Sequence, residues 1–90
     1  MDILTVMALD NETEDVLDYL VQHCPESKAK ILVDVGMHHL LPNARWQLAE
    51  FLYRRRVDDF TTFLQRLSQD EDAYVRKRAN NCLTYLQKKE

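Results

Sequence analysis

The chain has 90 residues, 46% hydrophobic and 30% charged, and its 12 Lys and Arg against 15 Asp and Glu leave a net charge of −3. This composition describes one globular domain with its own core and excludes a disordered chain, which would be poorer in apolar residues and more highly charged. One glycine and two prolines supply too few tight turns for an all-β fold, and no apolar stretch approaches the roughly 20 residues that span a bilayer.

The chain opens Met1-Asp2-Ile3-Leu4, with an acid where a secretory leader carries basic residues, so a first helix over 2–9 and a cytoplasmic location are expected. Asn11 with Glu14 forms a capping-box pattern for a second helix over 12–23. On that helix Leu17, Leu20, Val21 and Cys24 share one side and Asp15, Asp18, Tyr19 and Gln22 the other. Pro25 and Pro42 stand where a first helical position is expected, since proline's missing N–H costs nothing there. They open a third helix over 26–40, striped by Ala29, Leu32, Val33, Gly36, Met37 and Leu40, and a fourth over 43–56, striped by Leu48, Phe51 and Leu52. Asp58 and Asp72 read as N-caps of a fifth helix over 58–68 and a sixth over 73–87. Phe60, Phe63, Leu64 and Leu67 stripe the fifth, and Val75, Ala79, Cys82, Leu83 and Leu86 the sixth. Cys24 and Cys82 both fall on core stripes and are expected to be reduced thiols.

Connections this short between helices force antiparallel neighbours, so the prediction is all-α, with six helices in three helical hairpins. The hairpins repeat at an offset of 31. Aligning Arg45 with Arg76 pairs Leu48 with Ala79, Phe51 with Cys82, Leu52 with Leu83 and Val33 with Leu64. A further step back brings Leu17, Leu20 and Val21 into the same columns. The units are residues 1–24, 25–56 and 57–90, and stacking three of them builds the continuous core that one hairpin lacks.

The stretch from Phe63 to Leu83 resembles a HEAT repeat, whose second helix opens with Asp, then Val-Arg, then Ala on the next turn: here Asp70 or Asp72, Val75-Arg76 and Ala79. The match is fullest over 58–87. Over 28–56 it keeps Arg45 but replaces the acidic turn with Pro42-Asn43, and the first unit carries Glu14 in place of the arginine. The resemblance implies a short right-handed α-solenoid that binds macromolecules, with its second helices lining a concave surface. It also implies structural roles for Arg45, Arg76, Asp70 and Asp72, the arginine tying its helix to an acid in a turn.

His23, Cys24, His38 and His39 are the residue types that bind zinc, but adjacent histidines on a helix point about 100° apart and do not converge on one ion. No nucleophile constellation and no Gly-rich phosphate loop is present, so neither enzymatic activity, metal, cofactor nor small-molecule substrate is expected. Charge is more informative. Residues 1–27 hold seven acids and no Lys or Arg, so the remaining 63 carry +4 against their −7. Carrying the outward row of the second helix forward by 31 places Trp46, Ala49, Glu50 and Tyr53 on the fourth helix and Lys77, Asn80, Asn81 and Thr84 on the sixth. Asp15, Asp18, Tyr19, Trp46, Glu50 and Tyr53 would then form an acidic, aromatic groove for a basic protein or peptide, in a non-catalytic interaction module such as an inhibitor, immunity-type protein or adaptor. Two alternatives stay open: nucleic-acid binding through Arg54, Arg55, Arg56, Arg76, Lys77 and Arg78, and self-association, including a homodimer sealed through Ile3, Leu4, Met7 or Tyr85.

Overall fold

The computed structural model describes residues 2–10 and 14–89 and, among them, contains six helices and no strand. These are α1 (Ile3–Leu9), α2 (Asp15–His23), α3 (Glu26–Gly36), α4 (Pro42–Arg55), α5 (Phe60–Leu67) and α6 (Ala73–Lys89). No helix among the described residues is long and apolar enough to cross a membrane. The Cα radius of gyration is 11.9 Å, close to the roughly 12 Å of a compact domain of this length.

Each helix begins or ends where local chemistry dictates. Asp2 caps α1 by accepting the Thr5 N–H at 2.9 Å. Asp72 caps α6, its Oδ1 accepting from the Tyr74 and Val75 N–H groups at 2.9 and 3.1 Å. Pro42 is the first residue of α4, whereas Pro25 precedes α3 as its N-cap. α3 stops at Gly36, short of the expected residue 40: His39 Nδ1 accepts the Leu41 N–H at 3.1 Å, and Leu41, ahead of a proline, is extended. α5 begins one turn position later than expected, with Asp59 rather than Asp58 as its N-cap, at φ 63° and with no side-chain cap. The Asn11 half of the expected capping box lies outside the described residues. Glu14, the other half, is the N-cap of α2 at φ 57° and caps nothing through its side chain.

α4 is the centre of the molecule. It packs against all five other helices, and α1 with α2 and α5 with α6 are also in contact. Ala44 to Ala49, Phe51 and Leu52 are buried as a nearly continuous run. Around them close Leu4 and Met7 of α1, Leu17 and Leu20 of α2, Ala29 and Val33 of α3, Leu64 and Leu67 of α5, and Val75, Ala79 and Cys82 of α6. The single glycine, Gly36, marks where α3 comes nearest to α4, since a Cβ there would lie 3.0 Å from Leu48 Cδ2.

Two polar residues are buried within this run. Gln47 Nε2 donates to the Met7 carbonyl at 2.7 Å, tying α1 to α4, while its Oε1 has no hydrogen-bond partner among the described residues. Arg45 is buried with its charge matched across the fold, as described below.

Candidate functional site

Once the core is filled, one surface combines aromatic and charged side chains. All four tyrosines of the chain, Tyr19, Tyr53, Tyr74 and Tyr85, lie on α2, α4 and α6. Tyr19, Tyr74 and Tyr85 are exposed, Tyr19 at 64%. The three helices are linked side chain to side chain. Arg54 Nη1 meets Asp18 Oδ1 at 2.8 Å, joining α4 to α2. Arg78 Nη2 meets Glu50 Oε1 at 2.7 Å, and Tyr53 faces Tyr85 with ring centroids 6.2 Å apart, joining α4 to α6. Tyr19 packs beside His23 on the same helix, with centroids 4.8 Å apart.

The six residues expected to form a groove are distributed unevenly. Asp15 and Tyr19 are exposed at the rim, with Asp18 half-buried beside Arg54. Trp46 is only 4% exposed. Its ring meets Tyr74 edge-on at 5.5 Å, the Arg78 guanidinium sits 4.5 Å from its centroid, and its Nε1–H donates to Asn43 Oδ1 at 3.0 Å. Glu50 is taken up by Arg78, and Tyr53 is half-buried. Burial pulls the Arg78 pKa down, but the hydrogen bonds and charges of Glu50 and Tyr74 outweigh it, leaving a guanidinium held more firmly protonated than usual. α4 therefore contributes a packed seam, and the open surface lies on α2 and α6.

The arginines are also used inside the fold. Arg55 Nη1 donates to the Leu20 and Val21 carbonyls at 3.3 and 3.2 Å, closing the C-terminal end of α2, and its Nη2 meets Glu26. Arg56 lies over the Tyr53 and Phe60 rings. Arg45 grips Asp70 with two hydrogen bonds, Nε to Oδ2 at 2.8 Å and Nη2 to Oδ1 at 3.1 Å, their side chains only 7% and 10% exposed. Burial raises the Asp70 pKa, but the Arg45 and Asp72 hydrogen bonds and the Arg45 and Arg76 charges together hold its carboxyl below the ordinary value. The arginine-to-acid tie thus runs from Arg45 of α4 to Asp70 in the turn before α6. Arg76 instead donates to the Asp70 and Glu71 carbonyls, and Asp72 is spent on its cap.

Sequence spacing did not single out Gln47, and it offered Arg55 only as a nucleic-acid contact; both act through backbone carbonyls distant in sequence. His39 is a further case. Its Nε2 meets Thr5 Oγ1 at 3.2 Å while its Nδ1 accepts from Leu41, pinning the turn before α4 to α1. No three His, Cys, Asp or Glu side chains gather as a metal site among the described residues. Ile3, Leu20, Cys24, Ile31 and Val35 line an apolar cleft of about 480 Å³ between α1, α2 and α3.

Cys24 and Cys82 are unbonded thiols. Burial, and then the Glu50 carboxylate, push the Cys82 thiol up to about 12, and its Sγ lies 3.8 Å from the Ala49 carbonyl oxygen. A maleimide at neutral pH is expected to label native protein at half-buried Cys24 and to reach Cys82 only on unfolding. Equal rates at both thiols under native conditions, read by mass spectrometry, would contradict the packing of α6 on α4.

Comparison of the chain with family models, curated proteins and solved structures returns no match.

Proposed function

We propose that this chain is a non-catalytic protein-binding module, built as a short right-handed HEAT-like α-solenoid, that holds a basic protein surface on its α2/α4/α6 face as an inhibitor, immunity-type protein or adaptor. The observation that carries this reading is the placement of every tyrosine on those three helices, with Tyr19, Tyr74 and Tyr85 exposed. Tyrosine brings a large, stiff contact area with a polar tip and is a common anchor of interfaces. Tyr19 stands between Asp15 and His23 on α2, in a stretch of 27 residues that has seven acids and no Lys or Arg, which favours a basic partner. The solenoid part of the reading is supported by the arginine geometry: Arg45 and Arg76, 31 residues apart, bind the carbonyls of equivalent turns.

The test is affinity capture of the tagged protein from its native lysate after nuclease treatment, with mass spectrometry of what is retained. Capture of a basic protein is expected, and Asp15→Lys combined with Tyr19→Ala should release it while leaving the fold intact, both side chains being exposed. Association rates measured with that partner should fall with added salt, and less steeply for Asp15→Lys. A captured protein held equally by the double variant, or capture that nuclease abolishes, would overturn the proposal.

A further inference from the structure

Arg45 and Arg76 hold their guanidinium groups in the same way. Nη1 of each donates to two carbonyls in the turn ahead of its own helix: His39 and Leu40 at 2.7 and 3.2 Å for Arg45, Asp70 and Glu71 at 2.7 and 3.0 Å for Arg76. These carbonyls fix the plane of the group, so its other edge points in a set direction. For Arg45 that edge, Nε and Nη2, closes on the carboxylate of Asp70 in the turn that opens the next unit. The same edge of Arg76 donates to nothing among the described residues. A rigid guanidinium fork with an open edge is a receptor for one carboxylate, gripped through two parallel hydrogen bonds.

The fold itself shows what fills such an edge: an acid in the turn that opens a unit's second helix. We propose that Arg76 receives a carboxylate from the head of α2 in a second copy of this chain, Glu14 or Asp15, so that copies stack head to tail. Charge supports that occupant. The segment 1–27 has seven acids and no Lys or Arg, while α6 carries Arg76, Lys77, Arg78, Lys88 and Lys89 and no acid. Position supports it as well. Glu14 is the N-cap of α2, the second helix of the first unit, as the Asp70 turn directly precedes α6, the second helix of the third. Apolar surface is available farther along α6, where Phe60, Leu83 and Leu86 line a groove between α5 and α6. The two joined surfaces differ, so the contact is heterologous and does not stop at a dimer unless the stack closes into a ring. This inference shares only Asp15 with the proposed binding face, and it survives if that face holds no other protein.

The experiment is sedimentation velocity on the full chain over a dilution series, at about 0.02 M and about 0.5 M salt, where charge screening differs most. At low salt the average mass should rise past the dimer with concentration, and it should fall back at high salt. Arg76→Ala should weaken association at least about tenfold. Glu14→Lys with Asp15→Lys should do the same from the opposite end, which guards against a fold defect in either variant. Mixing Arg76→Glu protein with the Glu14→Lys/Asp15→Lys protein should restore it, because each then offers the other an opposite charge. A monomer at every concentration in low salt would overturn the proposal. So would association indifferent to Arg76→Ala, or mixed variants that stay apart, either of which would place self-contact elsewhere, such as the apolar cleft beside α3.

Discussion

Replacing Asp70 with Asn is expected to remove about 3–5 kcal/mol of stability at neutral pH, the cost of leaving a buried charge without its partner. Arg45 stays in place, held by the His39 and Leu40 carbonyls, with a guanidinium 7% exposed and facing a neutral amide. Glu71, whose Oε1 lies 3.9 Å from Nη2, is exposed and offers only screened compensation. Changing Arg45 to Met in the same protein should recover part of the loss, because the orphaned charge is then gone, and a double-mutant cycle in urea measures the coupling. The pH dependence has a defined sign. The Asp70 carboxyl titrates below its ordinary 3.8 in the folded protein, so its contribution is complete above that value and disappears as pH falls through the lowered one. Wild-type and Asp70→Asn stabilities should therefore converge in acid. A constant difference between them down to the lowest pH at which both fold would mean that the Asp70 charge contributes nothing.

How much of this was legible in the sequence depends on where each helix sits. α2 lies at the rim and has a true outward side, so the spacing of Leu17 and Leu20 was enough to send Asp15 and Tyr19 to the surface. α4 has no such side. The stripe of Leu48, Phe51 and Leu52 identified one buried face, and the rule that the opposite face meets water placed Trp46, Glu50 and Tyr53 there. A helix enclosed by five others buries almost its whole circumference, and Arg45 and Gln47 lie within it with their N–H groups donating to carbonyls and a carboxylate of other elements. Their polarity hides the enclosure from any reading of apolar period.

Partner choice was illegible for a related reason. The HEAT-repeat resemblance implied that an arginine ties its helix to an acid in a turn, which for Arg76 would be Asp70 or Asp72. The short turn instead turns its carbonyls to Arg76, leaves the Asp70 carboxylate for Arg45 of α4, and uses Asp72 for the helix cap. Three acids within three residues are chemically equivalent in the sequence, and only the fold divides them.

Trp46→Ala is expected to cost about 3–5 kcal/mol, as large-to-small replacements of buried aromatics do. In a domain whose whole stability is about 5–15 kcal/mol, that approaches loss of the native state. The reason lies in what surrounds the ring. Arg78 stacks on one face at 4.5 Å while its Nε and Nη2 hold Glu50, and Tyr74, which packs edge-on, accepts a further hydrogen bond from Arg78 Nη1 at 2.8 Å. Removing the indole therefore opens a cavity beneath an ion pair and lets water reach both charges, so the loss extends beyond the apolar area. Trp46→Phe should cost less, since it refills most of the volume and gives up the Asn43 hydrogen bond of 3.0 Å. The two variants are to be compared by urea denaturation followed by far-UV circular dichroism. Wild-type-like stability of Trp46→Ala would mean that α6 does not pack on α4 through this ring. A large loss makes any binding defect of that variant a consequence of unfolding, which is why Tyr19 and Asp15, whose removal leaves the core untouched, are the residues on which the interface is to be tested.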